Sequence, residues 1–166
     1  MKVAWVLLAL ACAACKRDPA PAGETQQVSA APPTCKDGDG CLQQCNDGDR
    51  EACFERGNTL IGHDDLTAAH AFERACSLGL AVSCAHAGRM YEFAHGVAKD
   101  DAKAFSFYSQ ACDGGADVGC YNEAVLLEKG RGTDRDMTHA KALYARVCSA
   151  GSNTACADAR RVSVLP

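Results

Sequence analysis

Aromatic residues make up only 6% of this 166-residue chain, with a single tryptophan. A broad aromatic core is therefore excluded, and the fold has to rest on many small contacts or on covalent cross-links. Lysine and arginine total 17 against 21 acidic residues, a formal net charge of -4. No basic run exists beyond Lys16-Arg17 and Arg160-Arg161, which argues against the electrostatic footprint of a nucleic-acid binder. Nor does any apolar run reach the roughly 20 residues that a membrane-spanning helix needs. The motifs G-x-S-x-G, S-x-x-K, H-x-H-x-D, H-E-x-x-H and G-x-x-x-x-G-K are all missing, so the common nucleophile, zinc and phosphate-loop signatures give no lead.

What the chain has instead is cysteine, twelve residues of it. Cytosolic glutathione would keep so many thiols reduced, so they point to disulfides in an oxidising compartment or to metal. The N-terminus supplies the compartment. Lys2 precedes the apolar run VAWVLLALACAAC, the length of a signal-peptide core rather than of a membrane span.

Small residues before Cys15 resemble a bacterial lipobox, in which the cysteine carries lipid and becomes the first mature residue. Cys12 is a rival; neither has the usual leucine three places ahead. Cutting at Cys15 leaves a signal of residues 1–14 and an even ten cysteines for pairing. Residues 15–34, with four of the five prolines and no apolar periodicity, read as a disordered tether. Residues 35–166 are left for one folded domain.

Within that domain the cysteines fall at 45 and 53, 76 and 84, 112 and 120, 148 and 156. Each pair is eight apart, and successive pairs are offset by 31, 36 and 36 residues, the period of a helical-hairpin solenoid. Other columns keep the same frame. Gly79, Gly115 and Gly151 stand three residues after the first cysteine, and Gly57, Gly88 and Ala124 four after the second. Leu60, Tyr91 and Leu127 stand seven after the second; Ala68, Ala104 and Ala140 precede the next pair by eight, and Phe72, Tyr108 and Tyr144 by four.

Spacings near four mark helical faces, with small residues where helices approach and large ones filling the gap. Each unit therefore predicts a helix A from about Cys84 to Phe93, a glycine-bearing loop, and a helix B from about Asp101 to Cys112. Asp100-Asp101 and Asp134 to Asp136 suit the start of helix B. Gly115 and Gly151 suit its C-terminal cap.

The stretches GRMYEFAHGVAKDDAKAFSFYSQACDGGA and AVLLEKGRGTDRDMTHAKALYARVCSAGS resemble Sel-1-like repeats, cousins of the tetratricopeptide repeat. The likeness rests on the small residue before the aromatic of helix A, the Gly-x-Gly or Ala-x-Gly loop, the following Asp, and the Ala and Tyr of helix B. It covers about residues 41–159. The first unit departs from it, with eleven residues from Gly57 to Ala68 against sixteen from Gly88 to Ala104. At the far end Arg160 replaces the small residue, so the stack should stop there. The resemblance implies an all-α fold, an α/α helical-hairpin solenoid of about three hairpins plus caps.

The cysteine pairs resemble in particular the secreted, cysteine-rich Hcp-type branch, which implies disulfides Cys45–Cys53, Cys76–Cys84, Cys112–Cys120 and Cys148–Cys156. Seven intervening residues are also too many for paired ligands of a structural zinc site, and no metal or other cofactor is expected. Cys35 and Cys41 remain as a staple at the start of the stack. Between them KDGDG reads as a solvated turn rather than a calcium loop.

The five histidines, His63, His70, His86, His95 and His139, share no column and read as scattered. Carried over by resemblance, the groove-facing positions of a solenoid lie one, two and five residues after each second cysteine. Here these are Phe54, Glu55 and Asn58; Ala85, His86 and Arg89; Tyr121, Asn122 and Val125. The expected function is a lipid-anchored scaffold that binds a protein or peptide in the periplasm or at the cell surface, with no nucleic acid. The alternative, implied by the Hcp-type resemblance alone, is penicillin binding with weak β-lactamase activity.

Overall fold

A computed structural model describes residues 38–164. Cys12, Cys15, the tether and Cys35 lie outside the described residues. Eight helices follow one another: α1 Gly38–Asn46, α2 Arg50–Leu60, α3 Asp65–Ser77, α4 Ala81–Glu92, α5 Asp101–Asp113, α6 Asp117–Lys129, α7 Met137–Ser149 and α8 Asn153–Ser163. Each packs on its sequence neighbours, and α4 also touches α6. The arrangement is a solenoid in which α2–α3, α4–α5 and α6–α7 are hairpins flanked by α1 and α8.

The helix boundaries follow from caps. Asp64, Asp100 and Asp136 accept hydrogen bonds from Thr67, Lys103 and His139 N–H and so start α3, α5 and α7, the role expected of acidic side chains there. Helix A begins at Ala81 rather than near Cys84, and the offset is regular: α2, α4, α6 and α8 all start three residues before their cysteine. The reason is the tightness of the preceding turn. Gly79 and Gly115 have φ of 86° and 88° and donate to the carbonyls of Cys76 and Cys112, while Leu80 and Ala116 reach back to Ala75 and Ala111. This left-handed cap closes one helix and releases the next at once. Gly48 makes the same turn after α1, a fourth member of the column. KDGDG is not wholly a turn, since α1 begins at Gly38.

The expected disulfides are present in all four eight-apart pairs, with Cα separations of 4.4–4.6 Å. Cys41 is also disulfide-bonded. Each of the four joins a B helix to the following A helix and hence staples one hairpin to the next. By chain entropy, closing a loop this short contributes about 2.5 kcal/mol.

Between staples the core is a string of small clusters built on alanine, one large ring each in α3, α5 and α7. Phe72, Tyr108 and Tyr144 are at most 1% exposed. Gly57 and Gly88 make room for the first two: a Cβ there would stand 2.6 and 2.7 Å from the rings of Phe72 and Tyr108. At the corresponding place on α8, the last described helix, Arg160 is exposed and replaces the small residue.

Candidate binding groove

Tyr108 and Tyr144 are buried phenols, and a buried hydroxyl needs a partner. Both find one eight residues past the second cysteine of their own hairpin: Tyr108 O–H donates to Glu92 at 2.7 Å, and Tyr144 O–H to Glu128 at 2.9 Å. In the first hairpin the same two columns hold Phe72 and Ile61; donor and acceptor are absent together. Tyr121 donates to Asp158 and Tyr91 to Glu73, so all four tyrosines of the chain end on carboxylates. Burial first, and the adjoining carboxylate second, push Tyr108 and Tyr144 well above the ordinary phenol range. For Tyr91 the hydrogen bond to Glu73 leads, and its phenol is pushed up to about 12.

Two arginines complete the network. Arg131, in the α6–α7 loop, donates to Glu92 at 3.0 Å and to Asp101 at 2.7 and 3.2 Å, tying its loop to both helices of the hairpin before. Gly132 makes this approach possible. Its φ is 70°, and a Cβ would collide with the Asp101 backbone at the start of α5. Arg161 of α8 similarly donates to Glu128 at 2.6 and 2.9 Å and to Asp158 at 3.0 Å. Their guanidinium groups hold Asp101 and Glu128 below the usual carboxylate range.

Above this network lies a groove of roughly 770 Å³, walled by α4, α6 and α8. Its carboxylates, Glu92, Glu128 and Asp158, are all engaged from within. The groups left open are different in kind. Arg89 and Lys129 line the groove and make no ion pair among the described residues, and Asn122 makes no side-chain hydrogen bond there. Phe93, Val118 and Val125 add apolar surface, with Phe93 57% exposed. Among the described residues, no serine, cysteine or histidine lines it. Among the described residues no three His, Cys, Asp or Glu side chains could hold a metal ion.

The structure thus brings Arg89, Tyr121, Asn122 and Val125 into one groove. It does not bring the rest. Phe54 is half-buried against Phe72, with ring centroids 5.9 Å apart, while Glu55 and Asn58 are exposed outside the groove. His86 stacks on Phe72 at 4.8 Å and faces a smaller pocket shared with Arg89. Ala85, expected to face the groove, is 2% exposed and belongs to the core around Tyr108. The column one residue after the second cysteine turns inward between A helices, which Phe54 and Tyr121 disguise because large rings reach both core and surface.

Sequence reading missed Glu92, Glu128, Arg131, Asp158 and Arg161. A signal existed for the first two, since the column eight after the second cysteine reads Ile61, Glu92, Glu128 in step with Phe72, Tyr108, Tyr144.

Comparison with known proteins agrees with this geometry. The Sel1 repeat model matches residues 81–115 and 118–152. No curated protein sequence matches. Among solved structures, a Sel1 repeat protein from Oxalobacter formigenes is 28% identical with a TM-score of 0.67, covering 74% of this chain and 96% of that one. Cysteine-rich protein B of Helicobacter pylori, 24% identical with a TM-score of 0.58, covers 72% and 89%. A protective antigen of uropathogenic Escherichia coli with an SLR fold, 19% identical with a TM-score of 0.56, covers 72% of this chain and 34% of that one. The last two share the fold alone. The described chain is accordingly an all-α helical-hairpin solenoid in which two hairpins, residues 81–115 and 118–152, match the Sel1 repeat, with one shortened hairpin before them and disulfides between successive units.

Proposed function

We propose that this chain is a non-catalytic scaffold that holds an extended peptide, or an extended segment of a protein, along the face formed by α4, α6 and α8. The observation that carries the reading is the division of labour in the groove. Its carboxylates and phenols satisfy one another and fix the floor, while Arg89, Lys129, Asn122 and the apolar Phe93, Val118 and Val125 are left for a partner. Extended concave faces of helical-hairpin stacks serve this use. The disulfides belong to an oxidising compartment, and no described helix is long and apolar enough to cross a membrane. With the leader these features support export to the periplasm or cell surface as residues 15–166, anchored by lipid on Cys15, with Cys12 as the alternative. Retained acyl labelling in Cys15→Ala would move the anchor to Cys12.

The groove itself is tested by selecting phage-displayed random dodecapeptides on the oxidised protein. Enriched peptides should lose at least about tenfold in affinity for Asn122→Arg, which places a bulky cation in the groove centre. Equal binding to that variant, or no enrichment at all, refutes the reading.

A further inference from the structure

The clamp that Arg131 makes between the second and third hairpins has no counterpart one junction earlier. Aligned on the second cysteine of each pair, Arg131 corresponds to His95 and Glu92 to Ile61. Asp65, the first residue of α3, corresponds to Asp101, the first of α5. Of the three clamp positions only the aspartate survives, and its Oδ1 accepts from Gly62 N–H of its own hairpin loop. Where the second junction is filled by an arginine fork, the first opens into a pocket of roughly 300 Å³.

Most of the pocket's surface is apolar. Ile61 and Met90 supply aliphatic and thioether surface, the His86 ring, stacked on Phe72, supplies a flat side, and His95 and Asp65, whose carboxylate already accepts from Gly62 N–H, complete the wall. Burial, reinforced by the Arg89 charge, holds His86 below the ordinary imidazole range, so the ring is neutral at pH 7. Arg89 lines this pocket and the main groove alike. It is exposed and makes no ion pair among the described residues, so the cation shared by the two cavities is left without an acid of its own.

We propose that the junction of the first two hairpins is an anchor pocket for an aliphatic side chain of the bound segment, with Arg89 pairing to an acidic side chain beside it. The proposal rests on the peptide-binding reading above and adds its specificity: an extended segment carrying Asp or Glu next to Leu, Ile, Val or Met. An aliphatic side chain suits the pocket in size and polarity. A carboxylate is the complement of the unpaired guanidinium, whereas a basic residue there would meet like charge.

The test uses the same dodecapeptide selection on the oxidised full chain and on two variants. Ile61→Glu combined with His95→Arg rebuilds at the first junction the Glu, Arg and Asp triad seen at the second, filling the pocket with a contact this fold already accepts. Arg89→Glu reverses the charge at a residue that holds nothing else in place. On the native chain, enriched peptides should show an acidic residue within two positions of an aliphatic one. Their affinity should fall about tenfold or more in the rebuilt-clamp variant. Arg89→Glu should exchange the acidic preference for a basic one, a switch that a purely structural role would not produce.

Peptides that depend on Asn122 but bind the rebuilt-clamp variant as tightly as the native chain would overturn the anchor pocket and leave the groove standing. Loss of affinity in Arg89→Glu without a change of preferred charge would overturn the pairing. Independence from Asn122 and from both variants would overturn the groove and the anchor together.

Discussion

At the scale of single residues, Glu123 of α6 stands apart from the half-buried Glu92 and Glu128. It is 4% exposed and, unlike Glu92 and Glu128, has no arginine fork. Burial pushes its carboxyl above the ordinary range; the Ser109 hydroxyl and the charges of His139 and Arg146 offset only part of this. A carboxyl raised in the folded state binds its proton more tightly there than in the unfolded chain. Its favourable contribution is therefore complete below the unfolded value near 4.5 and is lost as pH rises through the folded one. Above both values the buried charge is a net cost. Glu123→Gln, which keeps hydrogen-bonding capacity without the charge, should stabilise the protein at pH 7 by about 1 kcal/mol, the scale of an imperfectly compensated buried polar group. Denaturant midpoints measured from pH 7 down to pH 3.5 should show the two proteins converging on acidification. A gap that widens at low pH would mean the carboxylate is stabilised in the fold.

At the scale of helices, the small residue four places after each second cysteine decides how closely A and B helices approach. Alanine in place of Gly88 gains about 1 kcal/mol of helix propensity, but its Cβ would stand 2.7 Å from the Tyr108 ring. That ring has nowhere to retreat, because its hydroxyl is fixed on Glu92, itself held by Arg131. Overpacking of this kind costs about 1–3 kcal/mol, so Gly88→Ala should be destabilising on balance, read as a lower urea midpoint in oxidised protein. A higher midpoint would show that the ring has slack.

Such columns were legible in the sequence because cysteine, glycine and ring keep one frame, and steric fit acts between residues at fixed offsets. The Arg131 contacts were not legible, since a loop residue reaches side chains 30 and 39 positions earlier and no helical period describes that. Ala85 was misplaced for a related reason. A column defined by spacing gives a direction around the helix, but whether that direction ends in core or groove depends on how the neighbouring A helix is set.

At the scale of the whole molecule, each unit touches mainly its neighbours, and stability is close to a sum of local units and interfaces. The four eight-apart staples close loops of the same length, so the entropic contribution is alike at each, about 2.5 kcal/mol. The consequences of removing one should nevertheless differ by position. Cys112→Ala with Cys120→Ala unfastens α5 from α6 in the middle of the stack, where both sides depend on the interface. Cys148→Ala with Cys156→Ala unfastens only α8, the last of the described helices. Hydrogen exchange should therefore accelerate across α4 to α7 in the central variant, with a lower denaturation midpoint, and chiefly within α8 in the terminal one. Uniform acceleration along the chain in both variants would mean that the stack unfolds as one cooperative unit. The terminal variant also carries a functional consequence, because α8 brings Asp158 and Arg161 to the groove. Loosening it frees Tyr121 and Glu128, so peptide affinity should fall in the protein whose global stability changes least.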